Sequence, residues 1–118
     1  MRLTKLGHHT PHVSGPALID TGSGHCVIAL ETVRHLGLQP VGETIVETQG
    51  GARPSSLYPV EMTVEDGELP PIRRPGVVGS PYLMRSGLAA IIGRDALEGV
   101  RFTYDGVTGT FTLDYPGV

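Results

Sequence analysis

Asp20 follows the apolar run Ala17-Leu18-Ile19 and opens the tetrad Asp20-Thr21-Gly22-Ser23. A carboxylate at the end of an apolar segment is costly unless something partners it. Thr21 and Ser23 place hydroxyls beside it, and Gly22 leaves room for a backbone to approach. A carboxylate ringed by small donors at a tight turn suits general acid or base work. An ordinary Asx turn closing a hairpin uses the same residue types, and these four residues alone do not separate the two readings. Downstream, Ala90-Ile91-Ile92-Gly93-Arg94-Asp95 again runs from apolar residues through a glycine into charge.

Two other groups invite a chemical reading. His8, His9 and His12 lie within five positions, the raw material of a metal-dependent hydrolase. No Cys, Asp or Glu joins them and Pro11 breaks any helix face, so a surface segment is the better reading. No metal and no cofactor are expected. Cys26 is the single cysteine, so no internal disulfide forms, and a small buried core thiol is expected there.

The elements that must position these residues are short. The 118 residues hold 17 glycines and 10 prolines, with aromatics at 5%. That many breakers excludes a helical bundle and favours strands joined by turns, with 1–118 as a single domain. Nine basic against 12 acidic residues, net −3, leave no basic face for nucleic acid and no polybasic membrane anchor. Met1 to Thr10 carries no apolar run of the signal-peptide or membrane-spanning kind, so a soluble, cytoplasmic protein is expected.

Along the chain, residues 1–15 read as irregular, with an extended strand ending at a Ser14-Gly15-Pro16 turn. Ala17 to Ile19 and His25 to Ile28 read as strands. Ala29 to Leu36 reads as a short helix capped by Gly37. Thr44 to Val46 and Leu57 to Val64 read as hairpin arms around Gly50-Gly51. Val60, Met62 and Val64 alternate with Glu61, Thr63 and Glu65, the period of a half-buried strand. Asp66-Gly67 reads as a turn, and residues 68–76, with three prolines, as an edge or loop. Val77-Val78 and Leu88 to Ile92 read as strands, and Asp95 to Leu97 as a helical turn. Val100 to Tyr104 and Thr108 to Leu113 pair across Asp105-Gly106.

Leu18-Ile19-Asp20-Thr21-Gly22-Ser23, a glycine-tipped hairpin, then Ile91-Ile92-Gly93-Arg94-Asp95 occur in that order. This arrangement resembles the retropepsin-like aspartic peptidases, of which the retroviral proteases are members. The resemblance covers most of residues 16–97. It implies an all-β lobe with one or two short helices, a folded sheet and a flap hairpin, and a homodimer with one Asp-Thr-Gly from each chain. The function it implies is an aspartic endopeptidase, sensitive to pepstatin, acting on peptide or protein substrates. Asp20 is then the catalytic residue. Thr21 crosses the dimer axis, Gly22 contacts carboxylate and substrate, and Ser23 supports the loop. Gly50 and Gly51 form the flap tip, and Ala89, Ala90 and Ile91 wall roomy apolar substrate pockets. Gly93 sits where crossing chains leave no space for a Cβ.

The sequence departs from the retroviral pattern at three places. The acid expected to pair with Arg94 is replaced by Gly24, so Arg94 needs another partner. Ser23 stands where alanine is usual, and a bond from its hydroxyl to the dyad implies an acidic optimum, at roughly pH 4 to 6. The hairpin after Leu97 takes the place of a long C-terminal helix and is expected to supply the C-terminal part of a dimer sheet, with Met1 to Leu6 contributing little. A catalytically silent dimerisation or peptide-binding module of the same fold is the alternative reading.

Overall fold

The computed structural model describes residues 1–48, 50–65 and 69–116. The strands are β1 (Arg2–Lys5), β2 (His12–Ser14), β3 (Ala17–Ile19), β4 (Val27–Ala29), β5 (Gly42–Thr48) and β6 (Gly51–Thr63). They continue as β7 (Ile72–Ser80), β8 (Ala90–Ile92), β9 (Arg101–Asp105) and β10 (Thr110–Asp114). Helix α1 spans Leu30–Leu36, and a 3₁₀ turn spans Leu83–Ser86. The protein is mostly β, and its larger sheet curls into a half-barrel. That sheet runs β2-β1-β6-β7-β4-β8-β3, with β5 paired to β6, while β9 and β10 form a sheet of their own.

The core is assembled from strands that touch neighbours on both edges. Leu3 of β1, Ile28 of β4, Val60 and Met62 of β6 and Val77 of β7 are fully buried. Helix α1 adds Val33 and Leu36 to the same cluster. It ends as its sequence predicts: Gly37 is left-handed at φ 65°, and its N–H donates to Arg34 O.

Several expectations need correction. Residues 1–15 are not irregular, because β1 pairs antiparallel with both β2 and β6, which seals Leu3. Both edges of β1 are therefore occupied within one chain. Glu61 was expected on a solvent face, yet it is buried among β6 neighbours and its Oε1 accepts from Arg73 Nε at 2.8 Å. The segment with three prolines is not an edge: from Ile72 it is the interior strand β7, between β6 and β4. Tyr58 pairs with Val77 and Val60 with Arg74, so Pro59 faces both Pro75 and Gly76. That bulge takes prolines out of the ladder, where a missing N–H costs nothing. The turn expected at Asp66-Gly67 lies outside the described residues. Asp95 to Leu97 does form the expected turn, with Ala96 N–H donating to Gly93 O and Leu97 N–H to Arg94 O.

The last hairpin also differs from expectation. Its loop is Gly106 to Gly109, with Asp105 paired to Thr110. Asp105 closes strand β9, and its Oδ1 accepts from the N–H groups of Val107 at 2.9 Å and Thr108 at 3.3 Å. Those donors favour the charged form and hold the Asp105 carboxyl below its ordinary value. Phe102 pairs with Leu113 and Tyr104 with Phe111, so all four share one face by alternation. Arg101, Thr103, Asp105, Thr110, Thr112 and Asp114 share the other.

Candidate active site

Asp20 leaves the sheet where β3 ends. Strand β8 lies between β3, which precedes the loop, and β4, which follows it, and bonds to both. The Asp20 loop therefore bridges over a strand from late in the sequence. Its first anchor is the bond from Asp20 N–H to Ile92 O at 3.0 Å. Ser23 N–H donates to Asp20 O at 3.1 Å, closing the turn, and Arg94 N–H donates to Ser23 O at 2.8 Å. These bonds give Asp20 N–H, Asp20 O, Ser23 N–H and Ser23 O local partners where the chain leaves the ladder.

The carboxylate itself is half-buried. Gly22 N–H donates to Asp20 Oδ1 at 2.9 Å. A Cβ on Gly22 would lie 3.1 Å from that oxygen, so the glycine permits this close bond. Asp20 Oδ2 has no hydrogen-bond partner among the described residues. One oxygen is fixed by the backbone and the other stays open, an arrangement suited to exchanging a proton with an incoming group.

Gly93 carries the tightest crossing. A Cβ there would stand 2.4 Å from His25 O and 2.8 Å from His25 N, both backbone atoms. Only glycine fits where the chain leaving β8 passes under the loop. Arg94, left without the acid that Gly24 lacks, finds a backbone partner: its Nη1 donates to Thr21 O at 2.8 Å. A Cβ on Gly24 would sit 3.6 Å from Arg94 Nη2, so the guanidinium occupies the space beside that position. Thr21 and Ser23 are at the surface side of the loop.

Ser23 is placed differently from expectation. Its Oγ donates to His25 O at 2.7 Å, within the loop, and not to Asp20. The carbonyl of His25 turns inward over Gly93 and is the nearer acceptor. Ala89 and Ala90 also move from pocket wall to core: both are buried. Along β8, Ala90 and Ile92 face inward while Ile91 faces the other way. Ile91 alone of the three lines the cavity described next.

The β5–β6 hairpin overhangs the sheet. Its strands run to the tip, with Thr48 opposite Gly51 and Gly51 at φ 103°. Gln49 lies outside the described residues. Beneath it is a cavity of about 470 Å³, lined by Val27, Val46, Val78, Leu83 and Ile91 and rimmed by Arg53 and Tyr82. Val27 and Ile91 are cross-strand partners, so this floor continues the ladder that holds the Asp20 loop. Tyr82 and Arg53 had no signal as isolated residues. Arg53 becomes visible only once the register sets it opposite Val46.

Cys26 is fully buried, as its type predicts, and it has a partner that the sequence did not indicate. Its Sγ donates to Asp95 Oδ1 at 3.1 Å, and Asp95 Oδ2 meets Arg74 Nη2 at 3.4 Å. Burial first, then the bond to Asp95, pushes the thiol up to about 12, so it is an inert neutral group. A second cavity, about 520 Å³, opens beside Arg74, Asp95 and Tyr115 and includes no residue of the β5–β6 hairpin; Asp20 lines neither cavity. His8, His9 and His12 are exposed, and no cluster of three metal-ligating side chains occurs among the described residues. No described helix is long and apolar enough to cross a membrane. No protein-family model, curated protein or solved structure matches the chain.

Proposed function

We propose that this chain is a retropepsin-like aspartic endopeptidase that works as a homodimer, with one Asp20 from each copy. The observation that carries the reading is the Asp20 carboxylate itself. It ends a strand of the larger sheet, has one oxygen held by Gly22 N–H and has the other open. Each copy holds one Asp-Thr-Gly and so half of an acid–base pair.

The C-terminal hairpin supports the assembly. Phe102, Tyr104 and Phe111 are 36%, 64% and 54% exposed, and the Phe102 and Phe111 rings lie 5.8 Å apart. A two-stranded sheet whose aromatic face is largely exposed is marginal in water. A second copy would bury that face symmetrically and pair like with like. Strand β1, already bonded on both edges, is not free to take this role.

In the dimer, two facing carboxylates share one proton, because both cannot ionise at close range. A water lies between them. Its oxygen attacks the scissile carbonyl carbon as the charged Asp20 takes a water proton. The protonated Asp20 gives its proton to the carbonyl oxygen, forming a neutral gem-diol. The gem-diol collapses when an Asp20 proton passes to the amide nitrogen and a hydroxyl proton returns to the dyad. The C–N bond breaks, and the dyad again holds one proton. The β5–β6 hairpin excludes water and seats an apolar side chain in the cavity below it.

The cavity would equally serve a silent peptide-binding module, and one assay separates the two. Incubated with a peptide library over a range of pH, the parent should cleave. Pepstatin should stop cleavage, a chelator should not, and Asp20→Asn should be inactive with its circular dichroism unchanged. Cleavage that survives Asp20→Asn would refute the reading.

A further inference from the structure

Tyr82 stands at the rim of the apolar cavity with two guanidinium groups near its ring. Arg53 Nη1 donates to the Tyr82 hydroxyl at 2.6 Å, and the Arg53 carbon Cζ lies 5.8 Å from the ring centre. Arg85 Cζ lies 5.4 Å from the same ring. The ring is held in place from its own backbone, where Tyr82 N–H donates to Ser80 Oγ at 3.2 Å. Both arginines are exposed, and neither forms an ion pair among the described residues. Glu43 and Glu47 of the neighbouring strand do not face Arg53: they fall on the opposite face of β5 from Val46, Arg53's partner.

Two cations gathered on one ring repel each other, and an anion between them relieves that cost. The cluster sits at the mouth of a cavity lined mainly by apolar residues, Val27, Val46, Val78, Leu83 and Ile91 among them, with Ser55, Ser80 and Ser86 also on its wall. The two features select a composite ligand. An apolar side chain fills the floor, and a carboxylate a residue or two away meets the rim, where a guanidinium can bind it with paired hydrogen bonds. Resting on the peptidase reading, we infer that this chain selects peptide segments carrying an aspartate or glutamate beside the apolar residue seated under the hairpin. Arg53 is the main specificity-determining residue and Arg85 its support. Because Arg53 belongs to β6 and Tyr82 to the segment after β7, an acidic ligand would also tie the overhanging hairpin to the sheet.

The test measures binding apart from cleavage. Full-length Asp20→Asn protein, which keeps the cavity and the rim, is titrated by NMR with capped, amidated octapeptides. Each carries one central Leu or Phe, and Glu is moved through every other position against Gln controls. The blocked termini leave the side-chain carboxylate as the only anion, and a free-acid, all-Gln peptide tests whether a terminal carboxylate substitutes. The expected result is tighter binding of Glu than Gln, by about threefold to tenfold, at one or two positions next to the apolar residue. It should come with shifts of the Arg53 Nε–H signal and be lost in Arg53→Gln, Arg85→Gln. Arg53→Glu should turn the preference toward Lys at the same positions. Equal affinities at every position, no measurable binding, a preference met only by the free C-terminus, or a Glu preference unchanged in the double variant would overturn the inference. Cleavage of the same peptides by the parent is scored separately. Cleavage without acid preference leaves the peptidase reading standing alone, and acid-selective binding without cleavage leaves the selectivity standing and removes the peptidase.

Discussion

The Asp20 loop and the Arg101–Asp114 hairpin meet water in opposite ways. The loop is closed by its own chain: β8 threads beneath it, Gly93 fits against His25 with no space for a Cβ, and Arg94 holds Thr21 O. The hairpin is patterned for burial, with Phe102, Tyr104, Phe111 and Leu113 on one face, yet most of that face is open. One region is closed by its own chain, and the other leaves apolar side chains exposed. Under the proposed reading the two are linked, since the half-site at Asp20 is rigid enough to wait for a partner that the hairpin recruits.

The contrast is broken most severely at Gly93. Gly93→Ala should destabilise the lobe by about 3 kcal/mol, because the added methyl meets backbone that cannot rotate away. The urea midpoint reads this directly, and a midpoint like the parent's would show that the crossing is looser than described. The hairpin should answer in the opposite manner. Tyr104→Ser combined with Phe111→Ser should leave the urea midpoint of dilute protein within the range of ordinary surface changes. The same pair should raise the dimer dissociation constant by roughly 30-fold or more, given the usual weight of buried aromatic anchors. Sedimentation velocity measures it, and an unaltered constant would place the interface elsewhere.

A smaller effect sharpens the comparison through pH. The Asp105 carboxyl is held below its ordinary value of 3.8 by the N–H groups of Val107 and Thr108. A depressed acid stabilises the fold fully above its ordinary value, and that contribution is lost as pH falls through the lowered one. The loop of the hairpin should therefore loosen below about pH 4, seen as faster amide exchange at Val107 and Thr108. Asp105→Ala should remove this acid transition and speed exchange at pH 7. The smallest effect is at Ser23. Since its hydroxyl serves His25 O, Ser23→Ala should cost about 1 kcal/mol or less and leave the acid limb of kcat in place. A shifted limb would show that the hydroxyl turns to Asp20 in the working enzyme.

What the sequence made legible was local. Gly37 as a left-handed cap, the hairpin around Gly50-Gly51 and the turn at Asp20 follow from chemistry that residues impose on their neighbours. What it hid was set by partners far along the chain. Residues 1–15 look irregular until β6 supplies an edge for β1, and Glu61 looks solvent-facing until Arg73 is placed opposite it. Three prolines read as an edge because nothing local shows the bulge at Pro59 that admits Pro75. At the site, Asp20, Gly22, Gly93 and Arg94 were readable as a group. The turning of Ser23 to His25 O was not, nor was the inward facing of Ala90 beside outward Ile91, because both depend on how β8 sits under the loop.

The central claim is that two copies of Asp20 make one site, and mixing tests it most directly. Parent and Asp20→Asn protein are combined in varying ratio at fixed total concentration, well above the dimer dissociation constant, and allowed to exchange subunits. Peptide cleavage is then followed at the pH where the parent cleaves fastest. If each site needs both carboxylates, mixed dimers are silent, and activity should fall as the square of the parent fraction. Activity that falls in simple proportion to the parent fraction would mean that each chain works alone and would contradict the account.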